Sequence, residues 1–99
     1  MRQRSKVNAT VQVDEAALRV TRFDFPPGSE TGWHRHAADY VVVPLRGGTL
    51  TVEDSSGAST YPIETGQSYA RPAGVEHNIA NDTDEEISFV EVEILDRRG

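Results

Sequence analysis

Apolar and polar residues alternate along most of this chain with a period of two, which is typical of β-strands. The clearest example is the segment 18–25, in which Thr21, Phe23 and Phe25 share one face and Val20 lies on the other. No segment of any length shows the 3.6-residue period of an amphipathic helix. The pattern therefore predicts an all-β protein.

Turn residues divide this pattern into nine predicted strands. They cover residues 10–13, 18–25, 33–36, 39–45, 49–53, 59–63, 68–71, 77–80 and 87–95. Short strands with turn signals at intervals of about eight to twelve residues are typical of a sandwich or barrel. We expect one β-barrel domain over residues 10–95. Residues 1–9 would form a tail or an edge strand, and residues 96–99 a tail.

Composition and charge exclude several classes of protein. The 99 residues suit a single domain, and the lack of cysteine excludes a disulfide-stapled scaffold. A net charge of −6 without a basic stripe argues against nucleic-acid binding. The amino terminus lacks the apolar segment of a signal peptide, and no run has the roughly 18 apolar residues of a membrane span. We expect a cytoplasmic protein that binds neither nucleic acid nor membranes.

The three histidines of the sequence predict a metal site. His34 and His36 are two residues apart in an extended segment, so their side chains share a face, with about 6.6 Å between the Cα atoms. His77, from a neighbouring strand, is the one remaining histidine that could complete the set. Neutral imidazole favours transition metals over Mg or Ca. The expected cofactor is a divalent ion of Fe, Ni, Zn, Mn or Cu.

Two motifs contain these histidines. The first has the order Gly28, five residues, His34, Arg35, His36, three residues, Tyr40, six residues and Gly47. The second has the order Gly66, five residues, Pro72, one residue, Gly74, two residues, His77, three residues and Asn81. Both resemble the motifs of the cupins. This resemblance implies a jelly-roll β-barrel, also called a double-stranded β-helix, with a metal site in its mouth.

Tyr40 stands where the first cupin motif has a glutamate. Strand parity places Tyr40 on the face of the two histidines and Asp39 on the other, whereas a bulge would bring Val41 into the site. We therefore expect a site of three histidines without a carboxylate. Tyr40 would either fill the barrel or hydrogen-bond to substrate or water at the site.

The resemblance implies a function as well as a fold. Cupins with three histidines and no glutamate include iron dioxygenases that act on small molecules. We expect a mononuclear metal enzyme of this dioxygenase-like kind, with Tyr40 as the catalytic residue that orients the substrate. The alternative is a non-catalytic module that senses or stores a small molecule. Segments 31–36, 39–45 and 71–77 also resemble a group of small bacterial cupins, some of which are labelled as β-alanine degradation proteins.

The remaining expectations concern structural roles. Glu91 and Glu93 alternate with three apolar residues in the last strand, which places them outside, although either could point inward as an acid or base. Asn81 would pin a turn, while Trp33 and Arg35 lie opposite the ligands, in packing or an interface. Four glycines would supply backbone freedom at turns; they are Gly28, Gly47, Gly66 and Gly74. A chain of this size would gain from pairing through edge strands as a homodimer.

Overall fold

Eleven β-strands and no helix make up residues 3–95, the part of the chain that the computed structural model describes. The all-β prediction is confirmed. The predicted tail at residues 96–99 and the first two residues lie outside the described range. The strands are β1 (Ser5–Lys6), β2 (Asn8–Asp14), β3 (Leu18–Phe25), β4 (Ser29–Glu30), β5 (His34–Arg35), β6 (Asp39–Arg46), β7 (Gly48–Asp54), β8 (Gly57–Ile63), β9 (Tyr69–Arg71), β10 (Glu76–Asn81) and β11 (Ile87–Ile94).

The strands form two sheets. The first has the order β1-β4-β10-β7-β8, with β5 also paired to β10. The second has the order β2-β3-β11-β6-β9. All pairs are antiparallel except β1 with β4. Consecutive strands alternate between the sheets at several points, as a jelly roll requires.

The core contains apolar side chains from both sheets. Phe25 is fully buried, and its ring centroid lies 5.3 Å from that of Phe89 and 6.4 Å from that of Phe23. Leu50 and Ile87 are also nearly inaccessible. Burial of each such side chain contributes about 1.5–3 kcal/mol. The phenylalanines of β3 confirm the face predicted from their alternation.

Part of the amino-terminal segment belongs to the sheets. β1 runs parallel to β4, and the Ser5 N–H donates to the Gly28 carbonyl at 2.8 Å. Val7 is buried in the core, and β2 begins at Asn8, before the expected start at residue 10. The short polar segment of β1 has no sequence pattern that predicts this pairing, because the partner strand β4 lies more than 20 residues away along the chain.

Gly47 is required for a reason other than backbone freedom. Its φ is not positive, unlike that of Gly28, Gly66 and Gly74. A Cβ at Gly47 would instead collide with the Ile63 carbonyl oxygen. The predicted need for backbone freedom is therefore confirmed for Gly28, Gly66 and Gly74. It is wrong for Gly47, where the main chain around Ile63 lies too close to leave room for a side chain.

The last strand turns its glutamates differently from the prediction. Ile87 and Phe89 are buried, and strand parity carries Glu91 to the same inner face, where it is 9% exposed. The prediction that Glu91 and Glu93 point outward is wrong, because Glu93 shares this parity and offers a carboxylate oxygen within 4.8 Å of a His36 ring nitrogen. Val90 and Val92 lie on the opposite, half-buried face. The face that carries Ile87 and Phe89 is the inner one, because these two side chains fill the space between the sheets.

Asn81 pins the turn that precedes β11, as predicted. Its side chain is fully buried and its Nδ2 donates to the carbonyls of Phe25 at 2.9 Å and Glu85 at 2.7 Å. Its Oδ1 accepts hydrogen bonds from the Thr83 N–H at 3.0 Å and hydroxyl at 2.6 Å. This one side chain therefore ties β3 to the turn at residues 82–86.

Replacing Asn81 by alanine should lower the free energy of unfolding by about 2–4 kcal/mol, because buried main-chain groups lose their partners. Asn8→Ala in exposed β2 is the control and should change it by less than about 0.5 kcal/mol. Urea unfolding followed by circular dichroism measures both. Equal effects of the two substitutions would contradict this role of Asn81.

Candidate metal centre

Main-chain pairing brings His34 and His77 together. β5 pairs with β10 in an antiparallel register that sets His34 directly opposite His77. Directly opposed residues of such a pair have Cβ atoms about 4.5–5.5 Å apart on one face. The two imidazole centroids lie 4.7 Å apart, with their planes at 70°. Strand pairing therefore brings together two histidines that are 43 residues apart in the sequence.

His36 joins them through the segment before β10. Its N–H donates to the Val75 carbonyl at 2.9 Å, and its carbonyl accepts the Gly74 N–H at 2.7 Å. Gly74 has φ +96°, a left-handed conformation that glycine adopts without strain. Gly74 of the second motif thus shapes the main chain that is hydrogen-bonded to His36 of the first motif.

The three histidines converge through their Nε2 atoms. The His36 Nε2 lies 3.1 Å from that of His34 and 3.2 Å from that of His77. Metal–imidazole bonds of about 2.0–2.1 Å, at angles between tetrahedral and octahedral values, place two such nitrogens about 2.9–3.4 Å apart. The observed spacings therefore fit three imidazoles on one ion, and the predicted residues are brought together.

The tautomer of His34 also fits metal binding. Its Nδ1 lies 2.8 Å from the Gly32 carbonyl oxygen, so Nδ1–H donates there and Nε2 presents its lone pair to the centre. A backbone carbonyl on the second ring nitrogen is a common feature of metal-binding histidines, since it fixes ring orientation. Gly32 in turn donates its N–H to the Asn78 Oδ1 at 2.9 Å.

Asn78 links this loop to a charged network. Its Nδ2 donates to Oε1 of Glu30 at 2.9 Å and of Glu53 at 2.7 Å. The Arg4 Nη1 donates to the same two oxygens at 3.2 Å, and its Nε and Nη2 pair with Asp82. The Asn78 hydrogen bond, followed by that of Arg4, lowers the pKa of Glu30. The network holds the loop before His34 against β10.

Tyr40 faces the histidines, as strand parity predicts. It is 3% exposed, and its ring stacks on that of His36 with centroids 3.8 Å apart and planes at 19°. Burial, with a smaller effect of Glu91, raises the pKa of the Tyr40 hydroxyl well above its usual range, so it stays protonated at neutral pH. Asp39 points elsewhere and accepts the Ala73 N–H at 2.8 Å.

Glu91 is a site residue that the sequence reasoning placed outside. Its Oε1 lies 3.7 Å from the His36 Nδ1, and burial, then Glu93, raises the pKa of its carboxyl to about 7. His36, Glu91 and Glu93 form a second group with ligand atoms within 4.8 Å of one another. Since the His36 Nε2 faces the other two histidines, the three-histidine group is the better donor set. Glu91 shares its parity with Ile87 and Phe89, a sequence signal that identifies its face without showing that this face is the covered one.

The buried imidazoles are held in the neutral form that binds metals. Burial, with the nearby His34 as a smaller cause, lowers the pKa of His36 to about 4. The pKa of His77 is lowered to about 4 by burial, then by His34 and Arg71. Neither residue therefore needs to lose a proton to bind a metal at neutral pH.

Two cavities flank the centre. One, of about 280 Å³, is lined by His34, His36 and Glu91 together with apolar residues such as Phe23 and Phe89. The other, of about 290 Å³, is lined by His77 and Tyr40 and by residues of β8 and β9. Trp33, 59% exposed, and the exposed Arg35 line neither cavity, as expected for the face opposite the ligands.

Two mainly antiparallel sheets that enclose three clustered histidines place this protein among the jelly-roll proteins with a candidate metal centre. A sequence model described as "Cupin domain" matches residues 21–93. The chain therefore belongs to the cupin family, as the two motifs predicted. Between residues 3 and 95 the structure has no helix with the length and apolar character that a membrane crossing requires.

Individual relatives agree with this assignment. The chain is 52% identical over 94 residues to "Beta-alanine degradation protein BauB" of Pseudomonas aeruginosa, covering 95% of this chain and 99% of that protein. A crystal structure of a cupin domain from Bordetella pertussis Tohama I is 51% identical, with a TM-score of 0.90 over 93% of this chain and 96% of that one. A cupin family protein of Methanocaldococcus jannaschii with a double-stranded β-helix fold, 16% identical, has a TM-score of 0.75 over 95% and 84% of the two chains and shows the fold alone.

The metal-free protein should lose stability as the pH falls between 6.5 and 4.5, and Glu91→Gln should steepen this loss. In that window the unfolded chain binds protons on His36 and His77 and the folded chain on neither, while Glu91 binds a proton in the folded chain alone. The net difference is two protons minus one. The free energy of unfolding should therefore change by about 1.4 kcal/mol per pH unit in the wild type and by about twice that in the variant.

Urea unfolding of chelator-treated protein at several pH values between about 5 and 6 measures both slopes. Groups whose pKa is lowered from ordinary carboxyl values, such as Glu30, are common to both proteins and cancel in the comparison. Equal slopes would contradict the inward, protonated state of Glu91.

Proposed function

We propose that this protein is a mononuclear metal enzyme that acts on a small molecule, with His34, His36 and His77 as the ligands of a divalent transition metal. The observation that carries the proposal is the convergence of three Nε2 atoms, with spacings of 3.1 and 3.2 Å from His36 to its neighbours. The neutral, buried state of His36 and His77 supports it. Three protein ligands leave coordination positions for a substrate, which is the arrangement of catalytic rather than structural sites.

When bound, the metal would supply Lewis-acid or oxygen-activating chemistry. The protein residues around it have separate roles. Tyr40 keeps its proton and can donate a hydrogen bond to a substrate oxygen beside His36. Glu91, with a carboxyl pKa of about 7 and an oxygen 3.7 Å from the His36 Nδ1, can accept or release a proton near neutral pH at its Oε1. Phe23 and Phe89 give the cavity on that side apolar walls.

The name of the 52% identical relative supports a substrate class. That protein is called a β-alanine degradation protein, and it matches nearly the whole of this chain. We propose that this protein acts on a small carboxylate of the kind formed when an amino acid is broken down. A dioxygenase-like reaction is the form we expect, because the triad resembles that of cupins with three histidines and no glutamate, which include iron dioxygenases.

Untagged protein should contain about one transition-metal ion per chain, and His36→Ala should lose it, because the remaining two imidazoles do not make a stable site. Tyr40→Phe is the matched control, since it keeps the ring that stacks on His36 and removes no ligand. Elemental analysis after gel filtration measures the metal, and circular dichroism verifies the fold. Undiminished metal in His36→Ala would refute the assignment of the site.

The metal-loaded protein should turn over a member of a panel made of β-alanine and short hydroxy- and oxo-carboxylates. Tyr40→Phe should lower kcat about tenfold to a hundredfold, because a hydrogen bond to a charged group contributes roughly 1.5–3 kcal/mol. Oxygen uptake and mass spectrometry of products measure turnover. Stoichiometric metal and tight binding of a panel member, without any product, would instead favour the non-catalytic binding module.

A further inference from the structure

Arg71 lines the cavity of about 290 Å³ that His77 also lines, and Arg71 has no role in the proposed reaction. Alternation along β9 turns Tyr69 and Arg71 to one side and leaves Ala70 exposed. Arg71 is directly opposite Tyr40 in the register of β6 with β9. The guanidinium is therefore in the same cavity as the tyrosine that stacks on His36.

Two aromatic rings hold the guanidinium in place. Its Cζ lies 5.1 Å from the ring centroid of Tyr61 and 5.0 Å from that of Tyr69. Contacts of a guanidinium with aromatic faces leave its in-plane N–H groups available for other partners. The Arg71 hydrogen bond that the structure shows, from Nη1 to the Ala70 carbonyl, is long at 3.4 Å.

Arg71 also has no acidic partner within 4.0 Å among the ion pairs of residues 3–95. Four other arginines do have such partners, namely Arg4, Arg19, Arg22 and Arg46. Arg35 forms no such pair among the described residues either, but it is exposed and lines neither histidine cavity. Arg71 thus combines a half-buried cation, a fixed orientation and a cavity beside the candidate metal.

We propose that this cavity binds a small monocarboxylate, whose carboxylate accepts two parallel N–H bonds from Arg71 while the rest of the molecule extends toward His77. The inference rests on the proposed function, which names a small carboxylate as the substrate and places a metal beyond His77; it adds that Arg71 is the residue that holds the carboxylate. A guanidinium matches the planar carboxylate with two parallel hydrogen bonds. The cavity thereby selects small acids over neutral molecules.

The charges of the cavity favour a monoanion over a phosphate ester. Arg71 is the one Lys or Arg among the described residues that line it. The exposed Asp54 also lines it, with its Oδ1 accepting hydrogen bonds from the N–H and hydroxyl of Ser56. One guanidinium balances the single charge of a monocarboxylate. It leaves one charge of a dianion unbalanced, and that charge would be repelled by the Asp54 carboxylate.

Propionate and its neutral isostere propionamide test this inference. Chemical-shift titrations of zinc-loaded protein should show binding of propionate and at least about tenfold weaker binding of propionamide, because the charge-assisted pair is lost. Arg71→Gln should weaken propionate binding by at least about tenfold as well. Arg46→Gln, which removes an exposed arginine paired with Glu85, is the matched control and should bind propionate as the wild type does. Equal affinity of the wild type for both probes, or of Arg71→Gln and wild type for propionate, would overturn the proposal.

A second measurement uses the wild type alone, so the test still holds if Arg71→Gln does not fold. The Arg71 Nε–H resonance should shift with propionate and stay unchanged with propionamide. An unshifted resonance at saturating propionate would overturn the direct pairing.

The same titrations with metal-free protein separate this inference from the proposed function. Binding that depends on Arg71 should persist there, because the guanidinium is held by Tyr61 and Tyr69 rather than by a metal. Failure of metal uptake would refute the metal enzyme and leave the carboxylate site standing. Metal uptake together with unchanged propionate binding in Arg71→Gln would refute the carboxylate site and leave the metal enzyme standing.

Discussion

The antiparallel pairing of β5 with β10 is the contact on which the candidate centre depends. It sets His34 opposite His77, yet β5 has only two residues and its ladder is correspondingly short. The structure compensates with side chains and irregular main chain. Asn78 fixes the loop before His34, and Gly74 and Val75 bond the backbone of His36. A bound ion would add a further bond between these segments, so metal and fold would stabilise each other.

The fold and the clustering of the three histidines could be predicted because their signals are local. A spacing of two residues fixes His34 and His36 on one face, and the turn residues around His77 are specified within one short motif. Glu91 was misplaced because both faces of β11 are apolar in part: Val90 and Val92 on one, Ile87 and Phe89 on the other. Alternation alone shows that two faces exist and does not say which one is covered.

Arg4 and Arg71 show a different limit of sequence analysis. Arg4 pairs with residues 26 to 78 positions away, and Arg71 lies over the ring of Tyr61, which belongs to the other sheet. Neither contact leaves a periodic trace in the sequence. Both cations nevertheless act near the centre, since Arg4 neutralises carboxylates bonded to Asn78 and Arg71 occupies the cavity of His77.

Trp33 gives the centre a natural optical reporter. It is the one tryptophan of the sequence, it directly precedes His34, and 59% of its surface is in contact with solvent. Its indole emission arises from a single location next to a histidine of the candidate centre, so quenching by a paramagnetic ion or a shift in emission wavelength would report whether the centre is occupied. The protein can therefore be titrated in its unlabelled form.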